Sequence, residues 1–487
     1  MGDRLAAQSD VGLDEALLRL VIDEHARGAL PRLEKLWTYY RNPLEPIAPA
    51  SDPWARPASW YRQGQEVGLP PRQRPRDGDD RGGPRRETVI ENDIAWRIHT
   101  MVDFLFGRPI AILSTAADAE LRERIDRALD AAWSAWGGVA LLQDAALLGH
   151  VYGSVDFVLR LDAAQLRRGE AEDAVRRGTR LEVVDPTRGI PLLDPGDYRR
   201  VAAYLIHYRR QVNRVESDAP SFLRRRAARR ATEEVSEVFT PARRRLSIDG
   251  RRVDDEPLAL LGGRLPIVHV QNLSQPFVYT GLSDVEPLVP LQDELNTRLS
   301  DRAARVTFQS FKMYLAKGLD GFEKSFVGPG QIWSTDNPDA QIQAFGGDAH
   351  SPSEDRHVDE IREALDKISS VPPIAAGVVR AKIGNLSSAN ALRITLLGLT
   401  SKTQRKRITY GRGVEEVSRL LLTALDSAGV LKTDEGDRGV RIEWPDPLPV
   451  DRNQETLAAA RKIELGVPRT RVLGELGYAP DEQGRID

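Results

Sequence analysis

The feature that most constrains this chain is the order of the elements predicted between Gly262 and Gly429. A strand ends in a Gly-Leu-Ser-Asp turn that opens an amphipathic helix, with leucines at helical spacing. A segment punctuated by glycine and proline follows, then a shorter helix, a loop of small residues and a long helical stretch. In order, these elements lie at residues 265–270, 284–312, 313–351, 352–370, 371–387 and 388–428. Two helices are therefore separated by an inserted lobe, and a loop leads from the second helix into a third.

The charge balance limits how the protein can contact nucleic acid. The 487 residues include 69 Lys and Arg against 72 Asp and Glu, which gives a net charge of −3. Proteins that grip DNA usually carry a basic excess, because neutralised phosphates supply most of the non-specific affinity. Any contact with DNA must therefore come from local basic residues.

The absence of cysteine excludes disulfides, thiolate metal sites and a cysteine nucleophile. No apolar run approaches the roughly 20 residues that span a bilayer, and the N-terminus lacks the layout of a signal peptide. We expect no membrane association and a cytoplasmic protein.

The first 87 residues divide into two parts. Residues 1–40 are predicted to be helical, with Pro31 dividing the helix. Residues 41–87 are rich in proline and arginine and are predicted to be mobile, although Trp54, Trp60 and Tyr61 suggest that part of this segment docks on a neighbour.

From residue 88 the pattern predicts an α+β fold. Residues 90–106 have the apolar spacing of an amphipathic helix, and helices are also predicted at 121–136 and 139–148. Short strands separated by turns follow, without βαβ alternation, and Asp249-Gly250 is a predicted hairpin turn. The predicted strands lie at 155–161, 181–184, 201–208, 235–239 and 246–248.

Three segments carry a resemblance to a known family. Residues 106–110 (Phe-Gly-Arg-Pro-Ile) join a helix to a strand, residues 265–300 contain Leu-Gln-Asp-Glu-Leu-Asn before Ser300, and residues 384–392 read Gly-Asn-Leu-Ser-Ser-Ala-Asn-Ala-Leu. In this order and spacing they resemble the portal proteins of tailed bacteriophages, although Ser388 stands where that family has glycine.

The resemblance implies a portal-type fold with an α/β wing, a two-helix stem, a small α/β clip, a long spine helix and a helical crown. On this chain these regions are the wing (88–283), stem helix 1 (284–312), clip (313–351), stem helix 2 (352–370), tunnel loop (371–387), spine helix with the following strand (388–444) and crown (445–487).

The resemblance also implies a function. Copies would form a closed ring, twelvefold in the capsid, that occupies one vertex and conducts double-stranded DNA during packaging and ejection. The implied partners are the terminase large subunit, the major capsid and scaffolding proteins, and a head-completion or adaptor protein. The implied location is the virion, with assembly in the host cytoplasm.

Several residues are candidates for the channel and for its interfaces. The predicted channel-facing cations are Arg362, Lys367, Arg380 and Lys382, the tunnel loop includes Val371, Pro372, Pro373, Ile374 and Gly377, and the clip interface includes Phe326 and Trp333. A nearly neutral loop with a few cations touches phosphates without holding them, which suits sliding DNA.

Other patterns leave alternatives open. The basic runs at 224–230 and 243–245 fit a DNA contact, a solvated face or a contact with an acidic neighbour, and the cations of the spine favour salt bridges between subunits. His350, Asp355 and His357 lack the ligand spacing of a metal site, and Asp254-Asp255-Glu256 are predicted to lie in an exposed turn.

No phosphate-binding loop, nucleophile elbow or His-Glu-x-x-His motif is present. We therefore expect no catalytic residues, no cofactor and no enzymatic activity. The alternatives are a metal-dependent nuclease or another structural protein of the capsid or connector.

Overall fold

The computed structural model describes residues 14–46, 61–70, 87–215, 228–310, 313–317, 338–339, 341–345, 351–377, 389–448 and 452–475. Its helices are α1 (Glu15–Arg27), α2 (Ala29–Arg41), α3 (Asp93–Phe106), α4 (Ala119–Ala135), α5 (Gly138–Tyr152), α6 (Ala163–Leu166), α7 (Ala171–Gly178), α8 (Val289–Ser310), α9 (Pro352–Ser369), α10 (Ala389–Thr395), α11 (Leu397–Ser427), α12 (Arg452–Glu464) and α13 (Arg469–Glu475). Its strands are β1 (Leu44–Pro46), β2 (Tyr61–Gln63), β3 (Ala111–Ser114), β4 (Ser154–Leu161), β5 (Thr179–Val184), β6 (Gly189–Asp194), β7 (Asp197–Val215), β8 (Ala228–Phe239), β9 (Arg243–Ile248), β10 (Arg251–Pro257), β11 (Ile267–Gln271), β12 (Met313–Lys317), β13 (Gln341–Phe345) and β14 (Val440–Glu443). Helices and antiparallel strands are mixed, as expected for an α+β chain.

The described residues divide into two compact units. The first unit contains those within 1–100, 145–158 and 182–371, and the second unit contains those within 101–144, 159–181 and 372–487. The chain passes between the units several times, so the units do not follow the order of the predicted regions. The borders of wing, stem, clip, spine and crown stay predictions.

The first unit is built around an antiparallel sheet with the strand order β10-β9-β8-β7-β6. The predicted hairpin turn is confirmed: Asp249 and Gly250 both have positive φ, 50° and 73°, and join β9 to β10. Because side chains alternate along a strand, Tyr204 and Ile206 of β7 pack into one core cluster and Leu205 into another, where α1 covers the sheet.

The motif before α8 places two backbones in close contact. A Cβ on Gly281 would lie 2.6 Å from the carbonyl oxygen of Gly153, so only glycine fits. Ser283 donates to the carbonyl oxygen of Val151 across 2.6 Å and accepts the backbone N–H of Glu286, the first residue of the short 3₁₀ turn that leads into α8.

The second unit is organised around α11 and the antiparallel pair β3–β14. Trp133 of α4 donates to Ser418 of α11 across 3.2 Å, and Phe106 packs against Tyr410 and Trp444. These contacts bury one side of α11 along much of its length.

Two local predictions were wrong, and a third concerns a segment that the structure describes only in part. The N-terminal helix divides at Gly28, not at Pro31. Pro31 lies in the first turn of α2, where a backbone N–H has no partner within the helix, so the N–H that proline lacks costs no hydrogen bond. Of the segment 41–87, predicted to be mobile, the structure describes residues 41–46, 61–70 and 87, and Gln65 is completely buried there in the 3₁₀ turn Gly64–Gly68. Gly411 and Gly413 predict a kink or an irregular turn in the long helix. The helix is instead interrupted at Leu396 and continues through Gly411, which packs against β14 and Trp444.

Candidate functional site

The structure describes only part of the predicted site. Arg362 and Lys367 lie on α9, and Val371, Pro372, Pro373, Ile374 and Gly377 follow its C-terminus. Arg380 and Lys382 of the tunnel loop, and Phe326 and Trp333 of the clip, lie outside the described residues. The base of the loop is therefore the part of the site whose geometry is known.

Helix α9 follows from its sequence pattern with one difference. Val358, Ile361, Leu365 and Ile368 stand at helical spacing and predict an apolar stripe, and the first three are buried. The fourth predicted member, Ile368, is 46 % exposed, and Ser369 is buried in its place. The stripe stops there because the helix ends at Ser370, which has a left-handed φ of 61°.

Charged pairs join α8 to α9. Arg302 donates to Asp355 across 2.9 Å, and Arg305 pairs with Glu354. Burial alone would raise the pKa of Glu294, but hydrogen bonds from Arg298 and His357 lower it below its ordinary value. The two helices predicted to form the stem are thus in contact, as antiparallel neighbours joined by ion pairs.

The two described channel candidates differ in environment. The guanidinium of Arg362 is largely buried and its Nη2 donates to Glu91 across 2.7 Å. Lys367 is exposed, and none of the described residues forms an ion pair with it. Lys367 is therefore more available to an external phosphate than Arg362.

Val371, the first residue of the predicted tunnel loop, is held by Arg97 of α3. Arg97 is 1 % exposed, and its Nη1 donates to the carbonyl oxygen of Val371 across 2.9 Å. Asp366 and Asp93 pair with the same guanidinium at 2.7 and 3.0 Å. Nothing in the local sequence around Arg97 indicates this role, since Ser369 and Val371 lie 272 and 274 residues away along the chain.

Beyond Val371 the chain forms a compact turn. Residues 373–376 make one turn of 3₁₀ helix, with Ala375 donating to the carbonyl of Pro372 across 2.9 Å. Gly377 ends it with φ of 79°, a conformation that favours glycine. The described start of the tunnel loop is thus regular and not extended.

A row of polar side chains on α8 fastens the segment before α3. Gln292, Asn296 and Ser300 follow one another at four-residue spacing and are buried. The backbone N–H of Asp93 donates to Gln292, that of Glu91 to Asn296 and that of Val89 to Ser300. The residues that carried the resemblance in this helix therefore have a structural role.

The cations of the long helix are less available than the sequence suggests. Lys402, Lys406 and Arg407 are buried, whereas Arg405 and Arg412 are exposed. Arg407 donates to the carbonyl of Pro445 across 2.7 Å, and burial lowers its pKa. Of this cluster, only Arg405 and Arg412 present open surface for a neighbouring subunit or DNA.

The run at 243–245 binds carboxylates of its own chain. Residues 254–256 lie in β10 directly opposite β9, which corrects the exposed turn predicted for them. Arg244 pairs with Asp254 across 2.9 Å and with Glu237, and Arg243 pairs with Asp255 across 2.8 Å. Cross-strand charge pairing explains this run without a nucleic acid. Residues 224–226 lie outside the described ranges.

Within the described ranges, no three His, Asp or Glu side chains are placed to hold a metal ion together. His357 instead contacts Glu294, at 3.4 Å. The described helices include none that is long and apolar enough to cross a membrane.

The sequence matches one family over almost its whole length. The model of the family described as "Phage portal protein, SPP1 Gp6-like" matches residues 22–478. Among curated proteins, none matches the chain.

Solved structures that match this chain include chains from gene transfer agent particles. A chain from the neck of an empty particle, computed with C6 symmetry, is 12% identical, with a TM-score of 0.44 over 79% of this chain and 89% of that chain. A chain from the virion of a native particle is 14% identical, with a TM-score of 0.44 and the same coverage. A chain from the neck of a native particle, computed with C12 symmetry, is 13% identical, with a TM-score of 0.43 over 79% and 89%.

Proposed function

Because the chain belongs to the SPP1 Gp6-like family of phage portal proteins, we propose that its copies form a closed ring at one vertex of a capsid. The ring contains about twelve subunits related by a heterologous contact that closes on itself. Its channel admits double-stranded DNA during packaging, retains it and releases it at ejection. The observation that carries this proposal is the family match over residues 22–478.

The regions take the roles that the family resemblance implies. Helices α8 and α9 form the stem, the lobe between them is the clip, and residues 371–387 form the tunnel loop. The lobe that the chain inserts between α8 and α9 contains the antiparallel pair β12–β13, which supports a small clip. Residues 88–283 form the wing, 388–444 the spine with its strand, and 445–487 the crown.

The chemistry of the loop region supports passage of DNA without tight binding. Lys367 is exposed, and Arg362 is engaged by Glu91. Each lasting contact with a phosphate adds to a salt-dependent affinity, and a ring repeats every contact in each subunit. A channel with few available cations therefore lets the duplex slide. We rank Lys367, Arg380 and Lys382 above Arg362 as contacts to DNA.

The partners follow from the position at the vertex. A separate terminase large subunit supplies the ATP hydrolysis that drives packaging and docks on the clip, where Phe326 and Trp333 are the proposed contacts. The major capsid and scaffolding proteins surround the ring, and a head-completion or adaptor protein replaces the terminase. The protein acts in the virion after assembly in the host cytoplasm, and it needs no catalytic residue of its own.

The first test is negative-stain electron microscopy of the purified protein, with mass photometry of the same sample. Rings with a central hole and a mass near that of about twelve subunits would support the portal. A monomer or dimer that persists at high concentration would contradict it. Cleavage of DNA that depends on a divalent metal would support a nuclease in its place.

The second test separates DNA contact from assembly. We expect Arg380→Glu combined with Lys382→Glu to assemble into rings but to impair packaging, because the loop then repels phosphate. Arg19→Glu with Arg27→Glu is the matched control, since it changes the charge equally on the exposed face of α1. Normal packaging by the loop variant would overturn the assignment of these two cations.

A further inference from the structure

We propose that Arg97 is the positioning residue of the tunnel loop, which fixes the loop where it leaves α9. This inference rests on the proposed function, because it concerns the loop that meets DNA. Its geometry, however, lies entirely within the first unit, in residues 93–97 and 366–371. Arg97 acts through Val371 and does not itself reach the channel, since it is 1 % exposed.

The guanidinium of Arg97 contacts three groups at the C-terminal end of α9. Nη1 of Arg97 contacts Oδ1 of Asp366 in the last turn of α9 at 2.7 Å. The same nitrogen lies 3.3 Å from Oγ of Ser369 and 2.9 Å from the carbonyl oxygen of Val371. Hydrogen bonds from a charged donor are roughly twice as strong as neutral ones. The backbone of Val371 is therefore held directly by a buried charge.

Arg97 is itself fixed from its own helix. Its Nη2 pairs with Oδ2 of Asp93 at 3.0 Å, and the other oxygen of Asp93 accepts the indole N–H of Trp96 across 2.6 Å. Two carboxylates thus balance the charge of the buried guanidinium. Because the guanidinium is a planar fork of donors, it can contact both carboxylates and the carbonyl oxygen of Val371 at the same time. An ammonium group lacks this geometry.

The backbone between α9 and the loop is confined as well. Ser370 has φ of 61°, which an L-residue adopts only when its surroundings hold it there. The N–H of Val371 donates to Oγ of Ser369 across 3.1 Å, so both backbone groups of Val371 are engaged. The backbone is therefore fixed at Val371, and the 3₁₀ turn at 373–376 continues directly from this fixed point.

A spin label tests this without DNA. Because the chain has no cysteine, Ala376→Cys provides a single labelling position on the exposed end of the turn. In assembled full-length protein we expect the mobile component of the label's spectrum to become dominant with Arg97→Lys. The lysine keeps the charge beside Asp93 and Asp366 but cannot hold Val371 at the same time. Arg97→Met should mobilise the label further and also lower Tm.

A matched control uses another clamped arginine. Arg438 donates to Asp426 across 3.0 Å and to the carbonyl of Thr433 across 2.9 Å, in the second unit. Arg438→Lys should lower Tm at least as much as Arg97→Lys while leaving the spectrum of the label unchanged. A label that stays immobile in Arg97→Lys, or that Arg438→Lys mobilises equally, would overturn the positioning role. The Lys variant keeps this test valid even if Arg97→Met does not fold.

Packaging assays on the same variants separate the two proposals. If Arg97→Lys mobilises the label and packaging falls, both the positioning role and the DNA role of the loop are supported. If the label is mobilised and packaging is unchanged, the positioning role stands and the DNA role of the loop fails.

Discussion

The side-chain amide of Asn296 donates to Oε1 of Gln65 across 3.0 Å, and neither residue is exposed to solvent. Gln65 in turn donates to the carbonyl of Tyr39 across 2.7 Å and to Asn92 across 3.0 Å. One amide on α8 thereby joins the end of α2, the turn at 64–68 and the segment before α3. Within the first unit, α8 is held by buried polar contacts as well as by apolar packing.

Replacement of Asn296 by leucine should be strongly destabilising. Its Oδ1 accepts from the backbone of Glu91 and from Gln292, and its Nδ2 donates to Gln65. Leucine has a similar size but leaves these buried groups without that partner, at about 1–3 kcal/mol each. We expect Asn296→Leu to lower the free energy of unfolding by on the order of 3 kcal/mol or more, measured from urea unfolding.

The control for that change is an exposed amide on another helix. Gln404 lies on the exposed face of α11, and Gln404→Leu should alter stability by no more than about 0.5 kcal/mol. Equal effects at positions 404 and 296 would show that the buried contacts contribute little.

The sequence predicted the helices of this site better than the contacts between them. Periodicity placed α8 and α9 and identified Val358, Ile361 and Leu365 as buried, because packing of an amphipathic helix depends on a local pattern. Periodicity wrongly predicted that Ile368 is buried, since the position where α9 ends and the direction of its last turn depend on Ser370 and on Arg97. Local periodicity carries no information about such distant partners.

Polar networks were the part that periodicity could not predict. Asn296 and Gln65 are separated by 231 residues, and Gln65 belongs to a segment without apolar spacing. Dependence on a distant partner also explains why the sequence predicted an exposed turn at residues 254–256. Charged residues in a strand look like a loop until the opposite strand supplies arginines at matching positions.

The charge pairs between β8, β9 and β10 lead to a second prediction. Arg244 is paired with Glu237, whose side chain is only 7% exposed, and with Asp254. Arg244→Met should cost roughly 2–4 kcal/mol, because it removes a guanidinium that stabilises a largely buried carboxylate. Adding Glu237→Gln should recover much of the loss, as measured by thermal unfolding of the two variants.

Arg251 supplies the comparison for this prediction. It lies exposed at the start of β10 beside the hairpin turn. Arg251→Met should leave the free energy of unfolding within about 0.5 kcal/mol of the wild type. A double variant that is less stable than Arg244→Met alone would contradict the assignment of Glu237 as the carboxylate that Arg244 stabilises.

The close approach of two backbones leads to a third prediction. A Cβ at position 281 would lie 2.6 Å from the carbonyl oxygen of Gly153 and 2.7 Å from that of Leu273. Backbone oxygens cannot rotate away as a flexible side chain can, so Gly281→Ala should cost about 2 kcal/mol or more, seen as a lower Tm. At Gly436, where an added Cβ would meet nothing within 4 Å, Gly436→Ala should be neutral or stabilising by up to ~1 kcal/mol. Equal Tm values for the two variants would show that the backbones can separate at little cost.

The fourth prediction concerns alkaline pH. Burial, and then the charge of Asp156, raise the pKa of Tyr204 well above its ordinary value, and the pKa of Tyr279 is raised for the same reasons. Both hydroxyls donate to Asp156, at 2.7 and 3.0 Å. Below the ordinary tyrosine pKa of about 10, both states keep these protons and the stabilisation is complete. As the pH rises beyond that value, the unfolded chain loses protons that the folded chain keeps, so stability falls.

We therefore expect Tm to decline steeply above about pH 10 and Tyr204→Phe to make that decline shallower. The same variant should have a lower Tm at pH 8, because Asp156 loses a buried hydrogen bond. Tyr198 on the same strand is the control: a hydrogen bond with the backbone of Phe277 lowers its pKa, and Tyr198→Phe should not flatten the alkaline decline. A decline that is equally steep in Tyr204→Phe would show that Tyr204 keeps no proton that the unfolded chain gives up.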